Sequence, residues 1–135
     1  MSMTIRVNPA SGVPLYLQLT EQLKLAIETG AIRAGEQLPS IREMAEDLLI
    51  NPNTVVRAYR DLEIEGIIEL RHGAGAFVCA SVVPRAKLMN KAQAVVQSAM
   101  DQLTSLDLTE DEIRRLVENE LAGRRARKPV RKKYA

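Results

Sequence analysis

Two helix starts only eleven residues apart, at Ser40 and Asn51, constrain this chain more than any other feature. Ser40-Ile41-Arg42-Glu43 has the form of a capping box, in which the Ser40 hydroxyl accepts from the Glu43 N–H while Glu43 reaches back to the Ser40 N–H. It opens a short helix over 41–48 that buries Ile41, Met44, Ala45 and Leu48. Asn51 is a good N-cap and Pro52 a good first helical residue, so a second helix starts at 52 and stops at Gly66. Only Leu49-Ile50 remains between the two helices, and it must form a tight turn.

The helix over 52–65 carries the most informative wheel in the sequence. At 100° per residue, Val55, Ala58, Tyr59 and Leu62 share one side. Asn53, Arg57 and Arg60 lie about 180° away, flanked by Thr54 and Val56, with Ile64 further along. The acids Asp61, Glu63 and Glu65 are confined to the C-terminal half.

Around this pair the chain reads as follows. Residues 1–13 are polar and form a loosely held arm. Leu15, Tyr16, Leu19, Leu23, Ala26 and Ile27 make one stripe of an amphipathic helix over 14–29 that Gly30 ends. The connector 31–39 includes Gln37-Leu38, which can form a very short strand. After Gly66, two apolar runs flank His72-Gly73-Ala74-Gly75 and read as a β-hairpin. Leu88, Ala92, Val95, Ala99 and Leu103 then repeat at helical spacing over 86–103. A second capping box, Thr109-Glu110-Asp111-Glu112, opens a helix with Ile113, Leu116, Val117 and Leu121, expected to end at Gly123. Residues 124–135 read as a disordered tail.

Helix, tight turn, helix, hairpin is the order of a winged helix-turn-helix. The expected fold is mainly α with a small β-hairpin: an arm (1–13), a winged helix-turn-helix DNA-binding domain (14–80), a helical dimerisation region (81–123) and a basic tail (124–135). A helix enters the major groove only if one side is free while the other is held by its own domain. Arg can donate two parallel hydrogen bonds to guanine and Asn can pair with adenine in the same bidentate way. Arg42, near the start of its helix, is placed for a phosphate, and a salt bridge to Glu46 is the local alternative. Arg71 and His72 flank the hairpin turn, whose Gly73 and Gly75 let the backbone approach the sugar-phosphate wall. For Asn53, Arg57 and Arg60, the competing reading is an ordinary solvated helix face.

Charge has to be divided along the chain before it informs. Residues 1–80 hold seven Lys and Arg against ten Asp and Glu, a net of −3, whereas 81–135 carry a net of +5. Seven basic residues fall between Arg124 and Lys133 with no acid among them. That run either solubilises the chain or adds sequence-independent attraction to phosphate. The scarcity of aromatics (one Phe, three Tyr, no Trp) argues against a single-strand binder that stacks bases. One Cys and one His exclude an internal disulfide and a Cys-based zinc site. No phosphate-cradling glycine loop, metal-ligand cluster or nucleophile–base pairing points to an enzyme. The absence of a signal-like N-terminus and of ~20 consecutive apolar residues points to a soluble, cytoplasmic protein.

Pro14-Leu15-Tyr16-Leu17-Gln18, Gly35-Glu36-Gln37-Leu38-Pro39-Ser40-Ile41-Arg42-Glu43-Met44-Ala45, Asn51-Pro52-Asn53-Thr54-Val55, Arg57-Ala58-Tyr59 and Arg71-His72-Gly73-Ala74-Gly75-Ala76-Phe77-Val78 resemble the GntR family of bacterial transcription regulators, in the wording of its YtrA subfamily. The resemblance spans about 13–79. It implies a homodimeric repressor that contacts DNA through Arg42, Asn53, Thr54, Arg57 and the wing glycines Gly73 and Gly75. It also implies control of the protein's own operon, with transporters among the controlled genes. Two positions depart from the family: the usual turn glycine is Leu49, and the arginine of many relatives is Val56, which shifts readout to Arg57 and the wing.

The 56 residues after Cys79 leave no room for the large sensor domains of other members. Two short amphipathic helices cannot cover each other, so Leu88, Ala92, Val95, Ala99, Leu103, Ile113, Leu116 and Val117 are expected to meet a second copy. A dimer would read a palindromic operator with half-sites about 34–36 Å apart. A small-molecule effector at the dimer seam has no chemistry written in the sequence. The alternative function is a winged-helix protein-interaction module without sequence-specific DNA readout, supported by the acidic balance of 1–80.

Overall fold

The computed structural model describes residues 4–80 and 85–127. Its order is α1 (Leu15–Glu28), α2 (Ile41–Leu48), α3 (Pro52–Ile64), β1 (Ile68–Arg71), β2 (Gly75–Val78), α4 (Ala86–Thr104) and α5 (Glu110–Arg127). Two compact units result, Met1–Lys91 and Ala92–Ala135.

The first unit is built around α3. Leu19 and Leu23 from α1, Met44 and Ala45 from α2, and Val55, Ala58, Tyr59 and Leu62 from α3 are all buried, with Leu38, Ile68, Ala76 and Val78 closing the core from the hairpin side. Tyr59 carries a polar tip into this core, and its hydroxyl donates to the Pro39 carbonyl at 2.7 Å. At the periphery, Lys24 of α1 pairs with Glu65 just beyond α3, Nζ to Oε2 2.8 Å. That hydrogen bond is the main reason the Lys24 ammonium titrates above its ordinary value.

Both helix starts form as the residue types require. Ser40 Oγ accepts from the Glu43 N–H at 3.1 Å, and Glu43 Oε1 accepts from the Ser40 N–H at 3.3 Å. Asn51 Oδ1 accepts from the Asn53 N–H at 2.9 Å, with Pro52 as the first residue of α3. Leu49 does close the turn, in a left-handed conformation (φ 55°, ψ 47°) that lets the Ile50 N–H reach back to the Ala45 carbonyl at 3.1 Å.

β1 and β2 pair antiparallel with Ile68 opposite Val78 and Arg71 opposite Gly75. Gln37-Leu38 adds a third edge, because the Leu38 N–H donates to the Ala76 carbonyl at 2.8 Å and Gln37 bridges Phe77. The very short strand read at 37–38 is therefore present as a single bridge.

The arm is held more firmly than its composition implied. Gln22 accepts from the Arg6 N–H at 2.9 Å and donates to the Arg6 carbonyl at 2.6 Å. One turn earlier, Gln18 accepts from the Asn8 N–H at 2.8 Å and donates to the Asn8 and Val13 carbonyls. Two side-chain amides four residues apart share a helix face and act as a hydrogen-bonding edge, so the loosely held reading fails over 4–13. Residues 1–3 lie outside the described residues.

The second unit holds far less. Thr109 and Glu112 form the expected capping box, at 3.2 and 2.9 Å, and thereby hold the Glu112 carboxyl below its usual range. Ile113 is its one buried apolar side chain among the described residues, 8% exposed. The predicted stop at Gly123 is not observed: α5 continues through it to Arg127. Glu120 pairs with Arg124 and Arg127, and cations in a last turn suit the negative end of the helix dipole. The disordered reading thus fails for 124–127, and 128–135 lie outside the described residues.

Candidate nucleic-acid interface

The free face of α3 follows from its buried one. With Val55, Ala58, Tyr59 and Leu62 committed to the core, Asn53, Arg57 and Arg60 are exposed and Thr54 and Val56 are half-buried. The N-terminal end of this face offers an amide, two guanidinium groups and the partial positive charge of the helix start, with no carboxylate in the first turn. Glu63, further along, is occupied by the wing: its Oε2 accepts from the Leu70 N–H at 3.2 Å.

Arg57 is held in place by a residue that the sequence reading assigned to the apolar stripe of α1. Its guanidinium carbon lies 3.6 Å from the centroid of the Tyr16 ring. Tyr16 is half-buried, whereas the other members of that stripe at Leu19 and Leu23 are fully buried. A tyrosine at the edge of a stripe, near a helix start, was the one available signal.

Arg42 adopts the local alternative, with Nε 3.0 Å from Glu46 Oε1. Both side chains are largely exposed, at 88% and 65%. A pair this solvated contributes little and exchanges readily for a phosphate.

On the wing, the Arg71 guanidinium sits 4.2 Å from the centre of the Phe77 ring and 3.6 Å from Glu69. His72 and Gly73 are exposed at the tip, where the Ala74 N–H closes the turn onto the Arg71 carbonyl at 3.0 Å. Gln37 Nε2 donates to the Ala74 carbonyl at 3.0 Å and so fastens the wing from the connector. Gly75 is required by this clamp. A Cβ there would come 2.7 Å from Gln37 Nε2, and its φ of 112° disfavours any side chain.

The predicted contact residues therefore fall on three elements: Arg42 on α2, Asn53, Thr54, Arg57 and Arg60 on α3, and Arg71, His72, Gly73 and Gly75 on the wing. The predicted dimer residues divide. Leu88, Ala92, Val95, Ala99, Leu116 and Val117 are exposed, Leu103 is half-buried, and Ile113 is taken up inside the second unit. Among the described residues, no group of three His, Cys, Asp or Glu could hold a metal ion. None of their helices is long and apolar enough to cross a membrane.

Comparison with known proteins places this geometry. The profile of "Bacterial regulatory proteins, gntR family" matches residues 15–78, from the start of α1 to the end of β2. The chain is 43% identical over 74 residues to the HTH-type transcriptional repressor YtrA of Bacillus subtilis, covering 55% of this chain and 57% of that protein. It is 35% identical over 104 residues to the HTH-type transcriptional regulator YhcF of the same organism, covering 76% of this chain and 86% of that one. The chain thus spans little over half of YtrA and most of YhcF. Among solved structures, YtrA from Sulfolobus acidocaldarius, a GntR-family transcription factor, superposes with a TM-score of 0.56 at 30% identity, over 73% of this chain and 99% of that one. A winged helix-turn-helix with a free cationic face on its second helix, matched by family profile, relatives and fold, makes this chain a member of the GntR family of bacterial transcription regulators, similar to its YtrA-type members.

Proposed function

We propose that the protein is a sequence-specific, homodimeric repressor that acts in the cytoplasm on a palindromic operator, read by the outer face of α3 and flanked by the wing. One observation carries the reading: α3 buries Val55, Ala58, Tyr59 and Leu62 and leaves Asn53, Arg57 and Arg60 in solvent. This is the division of labour a helix needs to lie in the major groove. Arg57 and Asn53 read base edges, Thr54 and Arg60 flank them, Arg42 meets a phosphate once released from Glu46, and Arg71, His72 and the wing glycines follow the backbone.

The exposed apolar residues of α4 and α5, Leu88, Ala92, Val95, Ala99, Leu116 and Val117, form the surface that a second copy covers. The repressor name carried by B. subtilis YtrA supports the sign of regulation. Control of the protein's own, transporter-containing operon is part of the same proposal.

The test is selection of bound fragments from genomic DNA, followed by titration of the enriched duplex with wild type and Arg57→Ala. The expected result is an inverted repeat, a steep fall of affinity with salt, and a loss of about 1–3 kcal/mol with relaxed base preference in the variant. Full-strength operator binding by Arg57→Ala would falsify the assignment of α3. Absence of an enriched sequence and of salt dependence would favour a protein-interaction module instead.

A further inference from the structure

Arg57 differs from the other residues on the free face of α3 in one respect: its guanidinium is packed against an aromatic ring. Its guanidinium carbon lies 3.6 Å from the Tyr16 ring centroid, within van der Waals contact of the ring face. Tyr16 is the second residue of α1, a helix anchored to α3 by Leu19 and Leu23, both fully buried, and by Lys24 on Glu65. The ring is therefore a rigid platform, fixed relative to α3 by the core. Arg57 makes no hydrogen bond or ion pair with another side chain among the described residues, so this stack is what selects its rotamer.

A flexible arginine must lose its side-chain freedom when it docks, and that loss weakens binding. A guanidinium stacked on an aromatic face loses part of that freedom in the free protein. The ring occupies the flat side of the group, while the in-plane N–H donors at its edge stay open to a bidentate acceptor. Arg60, one turn later on the same face, has no such platform among the described residues.

We propose that Tyr16 is a positioning residue for base readout, whose ring pre-orients Arg57 so that its donor edge meets a base pair in one geometry. The inference rests on the reading of α3 as the recognition helix. Its consequence is specific. Removing the ring lowers discrimination at the base pair that Arg57 reads, and at no other.

Two measurements test this on the full chain. In the free protein, the side-chain NMR signals of Arg57 carry a ring-current shift that Tyr16→Phe keeps and Tyr16→Leu abolishes. In binding, the enriched genomic duplex and its single-base-pair variants are titrated with wild type, Tyr16→Phe, Tyr16→Leu, Arg57→Ala and the Tyr16→Leu/Arg57→Ala double variant. Tyr16→Phe is expected to match wild type. Tyr16→Leu is expected to lose about 5–10-fold of discrimination at the base pair where Arg57→Ala loses it, and to add nothing to Arg57→Ala in the double variant. Unchanged discrimination in Tyr16→Leu, a uniform loss across all duplexes, or tighter binding would each overturn the proposal and leave α3 as the reader. A Tyr16→Phe variant as impaired as Tyr16→Leu would overturn it too, by assigning the effect to the hydroxyl. Arg57→Ala with every base preference intact would instead remove the recognition-helix reading itself, and the proposal with it.

Discussion

The two units solve the same problem unequally. In the first, α1, α2, α3 and the hairpin enclose a contiguous core whose central residues Leu19, Leu23, Val55, Ala58 and Leu62 have no exposed surface. In the second, Ile113 is the one buried apolar side chain among the described residues, while Val95, Val96, Leu116, Val117 and Leu121 remain between 45% and 67% exposed. The difference is geometric. A third helix and a sheet can close over an apolar stripe, but two helices joined by a short turn leave their outer stripes bare. The winged unit encloses its apolar stripes by itself, whereas the helical pair leaves most of its own exposed.

The sharpest way to break that contrast is matched truncation. Leu62→Ala, at a fully buried site, is expected to cost about 2–5 kcal/mol in denaturant unfolding. Leu116→Ala, at a site 53% exposed, is expected to change the stability of the isolated chain by about 0.5 kcal/mol or less, yet to raise the dissociation constant of the proposed dimer in sedimentation. Equal unfolding penalties at the two sites would abolish the distinction between the units.

A smaller effect tests how the winged core accommodates the buried hydroxyl of Tyr59. Burial, with a further contribution from the Glu43 carboxylate, pushes the Tyr59 hydroxyl above the ordinary tyrosine range. The folded state therefore keeps a proton that the unfolded chain gives up near pH 10, so stability is full below about pH 10 and falls as the pH rises beyond it. Tyr59→Phe is expected to flatten that alkaline fall. At neutral pH it is expected to cost about 1–3 kcal/mol, because the Pro39 carbonyl loses its donor. Identical alkaline unfolding curves for the two proteins would rule this out.

The smallest effect sharpens a comparison inside the winged unit. α2 and α3 end alike: the Ile50 N–H reaches the Ala45 carbonyl at 3.1 Å, and the Ile67 N–H reaches the Leu62 carbonyl at 3.0 Å. Each closure passes through a left-handed residue, Gly66 (φ 77°) after α3 but Leu49 (φ 55°) after α2. Glycine adopts that region without the steric penalty that a Cβ brings. Leu49 is 91% exposed, so it recovers almost nothing through packing. Leu49→Gly is expected to stabilise the protein by up to about 1 kcal/mol in thermal unfolding. A loss of stability would mean that the leucine holds the turn in some other way.

Local chemistry made most of the fold legible. The capping boxes at Ser40 and Thr109, the Asn51-Pro52 restart and the 3.6-residue apolar stripes depend on neighbours within a turn or two. They located the helices to within a residue or two, except at the C-terminal end of α5, and they correctly sorted the two sides of α3. Where the reading failed, the missing information was a neighbour distant in sequence or a competition between local effects. The arm is held by Gln18 and Gln22 across 10 and 16 residues, and the wing is clamped by Gln37 across 37. At Gly123 a glycine stop signal was not enough to end the helix, and α5 runs on to Arg127.

The amino-acid order by itself determined which residues form helices, where each begins, and that α3 has one apolar and one cationic side. Those properties arise from backbone capping and periodicity, which act over a few residues. Only the tertiary structure decided that Arg57 rests on Tyr16, that Gln37 clamps the wing, and that Ile113 is enclosed while Leu116 is not. Each of those depends on which surfaces meet in space, and side-chain contact falls off within a few ångströms.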